Sequence, residues 1–139
     1  MKIQKLLYLA HGFWLVDADA PLVNEMFEAW KFGPVLPSLY HECKGFGRGA
    51  ITNYLQDVDP DTFKVTPAPI PAEQAINELV DFVWENYGDI PAMRLSDWTH
   101  VQGGPWDKVT KGGTEIIRHR DVPNEMIGEY FRQHMYASS

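Results

Sequence analysis

The sequence predicts a mainly α fold, a compact bundle of about five to six helices with a small two-stranded β element. Apolar residues recur at helical spacing in several separate segments, and Gly or Pro stands at most of their ends. The chain has 139 residues, of which 45% are hydrophobic, enough for one core and too few for two. No internal repeat or low-complexity stretch breaks the pattern, so the expectation is a single domain over residues 1–139.

The first element is a helix. Ile3, Leu6, Leu7, Ala10, Phe13 and Trp14 share one face, and Leu9, Leu15 and Val16 widen it, which points to a central position. It starts almost at Met1 with no Ser, Thr, Asp or Asn cap. Gly12 within it costs about 1 kcal/mol against Ala, so another element is expected to approach closely there. Asp17 to Pro21 is a polar break. Phe27 to Val35 is aromatic-rich and reads as either a short strand or an irregular turn stopping at Gly33-Pro34. Pro37 suits a first helical position; Leu36, Leu39, Tyr40 and Cys43 continue the spacing, and Gly45 is placed as the C-terminal cap.

Between Gln56 and Pro71 lie Pro60, Pro67, Pro69 and Pro71, with Asp57, Asp59 and Asp61. Only Thr62 to Thr66 reads as a strand there. From Ala72 a helix carries Ile76, Leu79, Val80, Val83 and Tyr87 until Gly88 closes it. Met93 to His100 is a further short helix, and Gly103-Gly104-Pro105 ends it. Trp106 to Thr110 forms another turn, Gly112-Gly113 breaks the chain, and Pro123 opens a last helix with Ile127, Tyr130, Phe131 and His134 on one face.

Composition narrows the function. With 5 Trp, 6 Tyr and 7 Phe, a mainly disordered regulator is excluded. The net charge is −7, which argues against direct nucleic-acid binding, because phosphate neutralisation needs clustered positive charge. Residues 61–100 carry seven acidic against two basic side chains, most of them along the helix with Glu73, Glu78, Asp81 and Glu85. That run reads as a solvated helix face or as a steering surface for a basic partner. Lys108, Lys111, Arg118 and Arg120 form only a short basic group, diluted by Asp107 and Glu115. Cys43 is the single cysteine, so neither an internal disulfide nor a cysteine-based zinc site can form. No run of about 18 apolar residues and no signal-peptide pattern occurs, and a cytoplasmic protein without membrane contact is the expectation.

Motifs for chemistry are weak. His41-Glu42 begins like a zincin helix, but Gly45 stands where the second histidine belongs. His11, His41 and His100 with Asp97 make a conceivable spatial metal site; the simpler reading is histidines satisfied by hydrogen bonds. Cys43 lies on the apolar side of its helix and reads as a small hydrophobe rather than a nucleophile. Gly45, Gly47 and Gly49 with Arg48 lack the preceding strand and the Lys-Ser/Thr of a phosphate loop. No catalytic residue, metal ligand or cofactor is assigned. What remains is aromatic: Glu28 to Pro34 ahead of Tyr40, and Thr99-His100 ahead of Gly104-Pro105-Trp106. Large aromatics beside rigid turns are either core or interface anchors.

Those blocks resemble a known family. Lys2-Ile3-Gln4-Lys5-Leu6-Leu7-Tyr8 followed by Gly12 is similar to the K-L-Q-K-L-L-Y…G helix of the Panacea domain, the SocA-like antitoxin family. Pro21-Leu22, Glu25 and Glu28 to Tyr40 resemble its E-A-W-x-Y-G-P-V-x-P-x-V-Y block. Leu95 to His100 and Gly104-Pro105-Trp106 resemble its L-S-x-x-T-H…G-P-W block. The order is the family's across nearly the whole chain. Two departures stand out: the helix that usually precedes the first block is lacking, and Phe32 replaces a tyrosine.

The resemblance implies a prophage-associated or mobile-element protein that binds and neutralises a toxin encoded beside it, without catalysis. One branch instead acts as an adaptor delivering its toxin to a protease. The residues expected to form the partner-binding patch are Trp30, Lys31, Phe32, Tyr40, His100 and Trp106. The rival reading is a small metal-dependent hydrolase built on His100 and Asp97.

Overall fold

Helix α1, Lys2–Asp17, is the element around which the others assemble. The computed structural model describes residues 2–43, 56–58, 65–67 and 74–135, and the statements below concern those residues. Chain order continues with β1 (Phe27–Trp30), β2 (Gly33–Val35), α2 (Pro37–Cys43), β3 (Gln56–Val58), β4 (Val65–Pro67) and α3 (Gln74–Tyr87). It ends with α4 (Ala92–Thr99), α5 (Pro105–Thr110), β5 (Asp121–Val122) and α6 (Asn124–His134). The architecture is mainly α, as the apolar spacing predicts.

The sequence predicts one strand pair; the described residues form two sheets. β1 lies at the centre of a three-stranded antiparallel sheet in the order β2-β1-β5, and β3 pairs with β4. β1 and β2 are a hairpin with Glu28 opposite Val35, Ala29 opposite Pro34 and Trp30 opposite Gly33. On the other edge Phe27 faces Val122 and Glu28 faces Asp121. β3 stands where the sequence predicts loop, and of the expected strand Thr62 to Thr66 only the last two residues fall in β4, residues 62–64 lying outside the described set. Gly45, the expected cap, also lies outside it, as do Gly47, Arg48 and Gly49.

The centre of the core is aromatic. Tyr8 meets Phe27 edge-on at 5.4 Å between ring centroids and Phe131 at 5.9 Å; Phe13 meets Phe131 at 5.3 Å. Such edge-to-face pairs contribute about 0.5–1.5 kcal/mol each beyond the area they bury. Sheet and helices thus share one core: Phe27 and Ala29 of β1 and Val122 of β5 point inward, while Glu28 and Trp30 lie on the outer face, the alternation a half-buried strand requires. Gly12 is where α6 crosses α1, and a Cβ there would run into the ring of Phe131. The expected close approach is therefore present.

The buried side of α1 differs from the expected one. Gln4, Lys5, Tyr8, Leu9, Ala10, His11, Gly12 and Phe13 are buried, whereas Ile3, Leu6, Leu7 and Trp14 are only partly so. Three polar side chains turn inward because each finds a partner. Gln4 is bonded twice to Leu36, its Nε2 donating to the carbonyl at 3.1 Å and its Oε1 accepting from the amide at 2.9 Å. This bond pair fastens the end of the hairpin to the first turn of α1.

His11 is wholly buried against the ring of Phe27, with Nε2 2.8 Å from Asn124 Oδ1. That contact places the proton on Nε2, and Nδ1 is left as a buried acceptor with no partner among the described residues. Burial holds the imidazole below its ordinary 6.5. The unfolded chain therefore takes up this proton first, and native stability falls as pH drops below about 6.5. Urea unfolding at pH 7.5 and 5.5 should show a loss for the native sequence that His11→Gln reduces; an unchanged difference would remove His11 as the cause.

Candidate protein-contact site

The hairpin closes through two residues, Lys31 and Phe32, between the paired Trp30 and Gly33. Gly33 adopts φ +116°, a conformation open to glycine and few others. Space gives a second reason: a Cβ there would sit 2.7 Å from both Lys5 Nζ and Thr99 Oγ1. The turn is thus pressed against α1 and α4 with no room for a side chain at its last position.

A two-residue turn leaves the carbonyls of Lys31 and Phe32 without ladder partners, so other groups must meet them. The carbonyls of Trp30 and Phe32 accept from three side chains of three helices, and a fourth side chain stands against the carbonyl of Lys31. Trp106 of α5 donates its indole N–H to the Trp30 carbonyl at 2.6 Å. His100, just beyond α4, points Nε2 at the Lys31 carbonyl at 3.2 Å. Lys5 of α1 donates Nζ to the Phe32 carbonyl at 2.8 Å, and Ser96 of α4 donates its hydroxyl to the same oxygen at 3.2 Å. Helices far apart in sequence therefore hold one turn by its backbone, and the side chains of Lys31 and Phe32 are left pointing out.

The holding groups are themselves braced. His100 donates through Nδ1 to the Ser96 carbonyl at 2.6 Å, and its ring packs on Trp106 with centroids 4.1 Å apart. Thr99 donates its hydroxyl to the same carbonyl at 2.6 Å. Pro105 stands at the start of α5, where the missing N–H costs nothing, and Gly103 N–H bonds to Asp107.

Lys5 is 1% exposed, and no carboxylate lies within ion-pair distance among the described residues. Desolvation pushes its ammonium down to about 8, so it is still mostly charged at neutral pH, with the Phe32 carbonyl dipole as its partner.

The six sequence-predicted residues gather at this hairpin, in two layers. Phe32 is 56% exposed at the tip, with Lys31 Nζ 5.6 Å from its ring centroid, a cation–π contact. Tyr40 of α2 is 42% exposed and packs edge-on against Trp30 at 4.9 Å. Trp30 is half-buried and donates its indole N–H to Glu28 at 3.0 Å; His119 approaches the other Glu28 oxygen at 3.6 Å. His100 is half-buried, and Trp106 is 5% exposed, facing the inside of the turn. Lys31, Phe32 and Tyr40 are available for contact, with Trp30 beneath them, while His100 and Trp106 hold the turn from behind. Lys5, Ser96 and Thr99 belong to the same layer, and reading by residue type passed over them. The one signal was a lysine set among apolar residues in the first helix.

Among the described residues no group of three or more His, Cys, Asp or Glu is placed to hold a metal ion. His100 directs both ring nitrogens at backbone carbonyls, and Asp97 is exposed. Among the described residues no helix is long and apolar enough to cross a membrane.

Because the folded value of Lys5 lies below its ordinary 10.5, the unfolded chain binds its proton more tightly. Stability should therefore rise between pH 7.5 and 9.5, by about 2 kcal/mol from this residue. Lys5→Met should abolish that rise in paired unfolding curves; an equal rise in both proteins would show that the ammonium is solvated.

The family model described as Antitoxin SocA-like, Panacea domain matches residues 3–107, a span that contains the hairpin and every side chain holding it. The protein named Antitoxin SocA of Caulobacter vibrioides (strain NA1000 / CB15N) is 38% identical over 134 residues, covering 95% of this chain and 71% of that relative. No solved structure matches. The chain belongs to the SocA-like antitoxin family of the Panacea domain.

Proposed function

We propose that this protein is an antitoxin that neutralises a cognate toxin by direct contact, with the hairpin tip as the contacting element and no bond made or broken. The observation that carries the reading is the pairing of an exposed Phe32, Lys31 and Tyr40 with a turn held from inside through the Trp30 and Phe32 carbonyls. A rigid tip loses little freedom on binding, so more of the contact energy appears as affinity. Aromatic side chains on such a platform have the character of interface anchors.

The proposed partner is the product of the neighbouring gene, bound at a surface that shields the toxin's working face. Trp30, His100 and Trp106 position the tip, while Lys31, Phe32 and Tyr40 touch the partner. Delivery of the toxin to a protease would use the same contact but shorten the toxin's half-life in cells. Neutralisation by contact leaves the half-life unchanged and the complex intact.

Calorimetry with the purified neighbouring gene product should show Phe32→Ala weakening binding by about 2 kcal/mol, roughly thirty-fold, with unchanged thermal stability. Lys31→Ala and Tyr40→Ala should weaken it in the same direction. Trp106→Phe, which keeps the ring but removes the donor to Trp30, should also weaken binding although it lies beneath the tip. If the three surface variants bind like the native protein, the contact is elsewhere.

A further inference from the structure

The hairpin tip is too small to be a whole contact. A stable interface between proteins covers about 800 Å2 on each partner. A large aromatic side chain offers about 150–250 Å2 in full, and Phe32 and Tyr40 are each about half exposed, so with Lys31 they supply less than half of that area. Further surface must adjoin them, and the segment after α5 is built to provide it.

Residues 111–120 form neither helix nor strand, yet they are tied at both ends. Lys111, Gly112, Gly113 and His119 all take positive φ, which folds the segment back on α5. Thr110 accepts the Glu115 N–H on its carbonyl at 2.8 Å and the Gly113 N–H on its hydroxyl at 3.0 Å. At the other end, Arg120 donates Nη1 to the Val109 carbonyl at 3.1 Å and its N–H to the Ile117 carbonyl at 3.2 Å; its own carbonyl accepts from Ala29 at 2.8 Å. Between these ties Ile116 and Ile117 are 43% and 46% exposed. An apolar pair presented on a tied loop loses little freedom on contact.

The loop shares its supports with the hairpin. Trp106, whose indole N–H holds the Trp30 carbonyl, has the far edge of the same ring 3.2 Å from where a Cβ on Gly113 would stand. Glu28 accepts the Trp30 indole N–H on one oxygen, and its other oxygen lies 3.6 Å from His119 Nδ1. Trp30 in turn packs on Tyr40. Tyr40, Trp30, Glu28 and His119 thus make one continuous outer face, with the tip at one end and Ile116-Ile117 at the other.

The cations on this face are spare. Among the described residues neither Lys31 nor Arg118 has a carboxylate within ion-pair distance. Of the carboxylates, Glu115 lies 3.3 Å from Lys111, and Glu28 is occupied by Trp30 and His119; Asp121 is exposed without such a partner. An acidic group arriving between Lys31 and Arg118 therefore meets unpaired positive charge, although the chain sums to −7.

We infer that the 111–120 loop is the second half of the contact made by the hairpin tip, and that the two together fit a partner surface of apolar side chains edged by Asp or Glu. The inference rests on the contact proposed for the tip and adds to it the loop and the partner's charge.

The test is calorimetry with the purified neighbouring gene product, with Phe32→Ala and the loop variants in one series. The double variant Ile116→Ser, Ile117→Ser should weaken binding by about ten-fold or more, and Trp84→Ser, a larger apolar loss on α3, by less than about two-fold. Arg118→Glu should weaken it by about ten-fold at low salt and less at high salt, while Asp121→Lys should tighten it, which damage to the fold cannot do. If Phe32→Ala weakens binding and the loop variants match the native protein, the contact ends at the tip: the inference falls and the tip reading stands. If the loop variants weaken binding and Phe32→Ala does not, the continuity inferred here is overturned. If no variant weakens it, the tip reading falls and the inference with it. Tightening by Arg118→Glu would show a basic partner and overturn the charge assignment.

Discussion

The carbonyls of Trp30 and Phe32 draw side-chain donors from three helices: Trp106 of α5, Lys5 of α1 and Ser96 of α4. Phe32 lies in the two-residue turn and has no ladder partner for its oxygen, while Trp30 is paired with Gly33 and gains the indole N–H in addition. That constraint accounts for several otherwise separate features. Lys5 is buried without a carboxylate among the described residues because the Phe32 carbonyl is what it serves. Gly33 has no side chain because Lys5 and Thr99 occupy the space. Trp106 points inward, although an aromatic next to a Gly-Pro turn invites a surface reading.

The same arrangement links packing to proposed function. The interior grips backbone and leaves the side chains of Lys31 and Phe32 pointing outward. The departure at Phe32 fits this division: a tyrosine there would add a hydroxyl at the exposed tip and leave the held carbonyl unchanged.

Much of this was legible in the residues. The 3.6 period and the Pro and Gly punctuation mark α1, α3, α4 and α6 nearly to their ends, because those signals are local. The burial of α1 was less legible: Gln4, Lys5 and His11 point inward owing to partners 27 to 113 residues away, which no local period records. β5 escaped for a similar reason. It has two residues, one exposed, and exists through pairing with β1 and the bond from Ala29 N–H to the Arg120 carbonyl. At the site, residue type and family blocks located Trp30 to Phe32, Tyr40, His100 and Trp106. They did not separate those that face a partner from those that hold the turn, since that distinction depends on which side of the backbone each one reaches.

The central claim is that the turn is rigid because its carbonyls are held. Backbone 15N relaxation tests it directly. Order parameters near 0.85 at Lys31 and Phe32, falling in Trp106→Phe, are the predicted result. Values below about 0.6 in the native protein would contradict the account, because a mobile tip is not a platform.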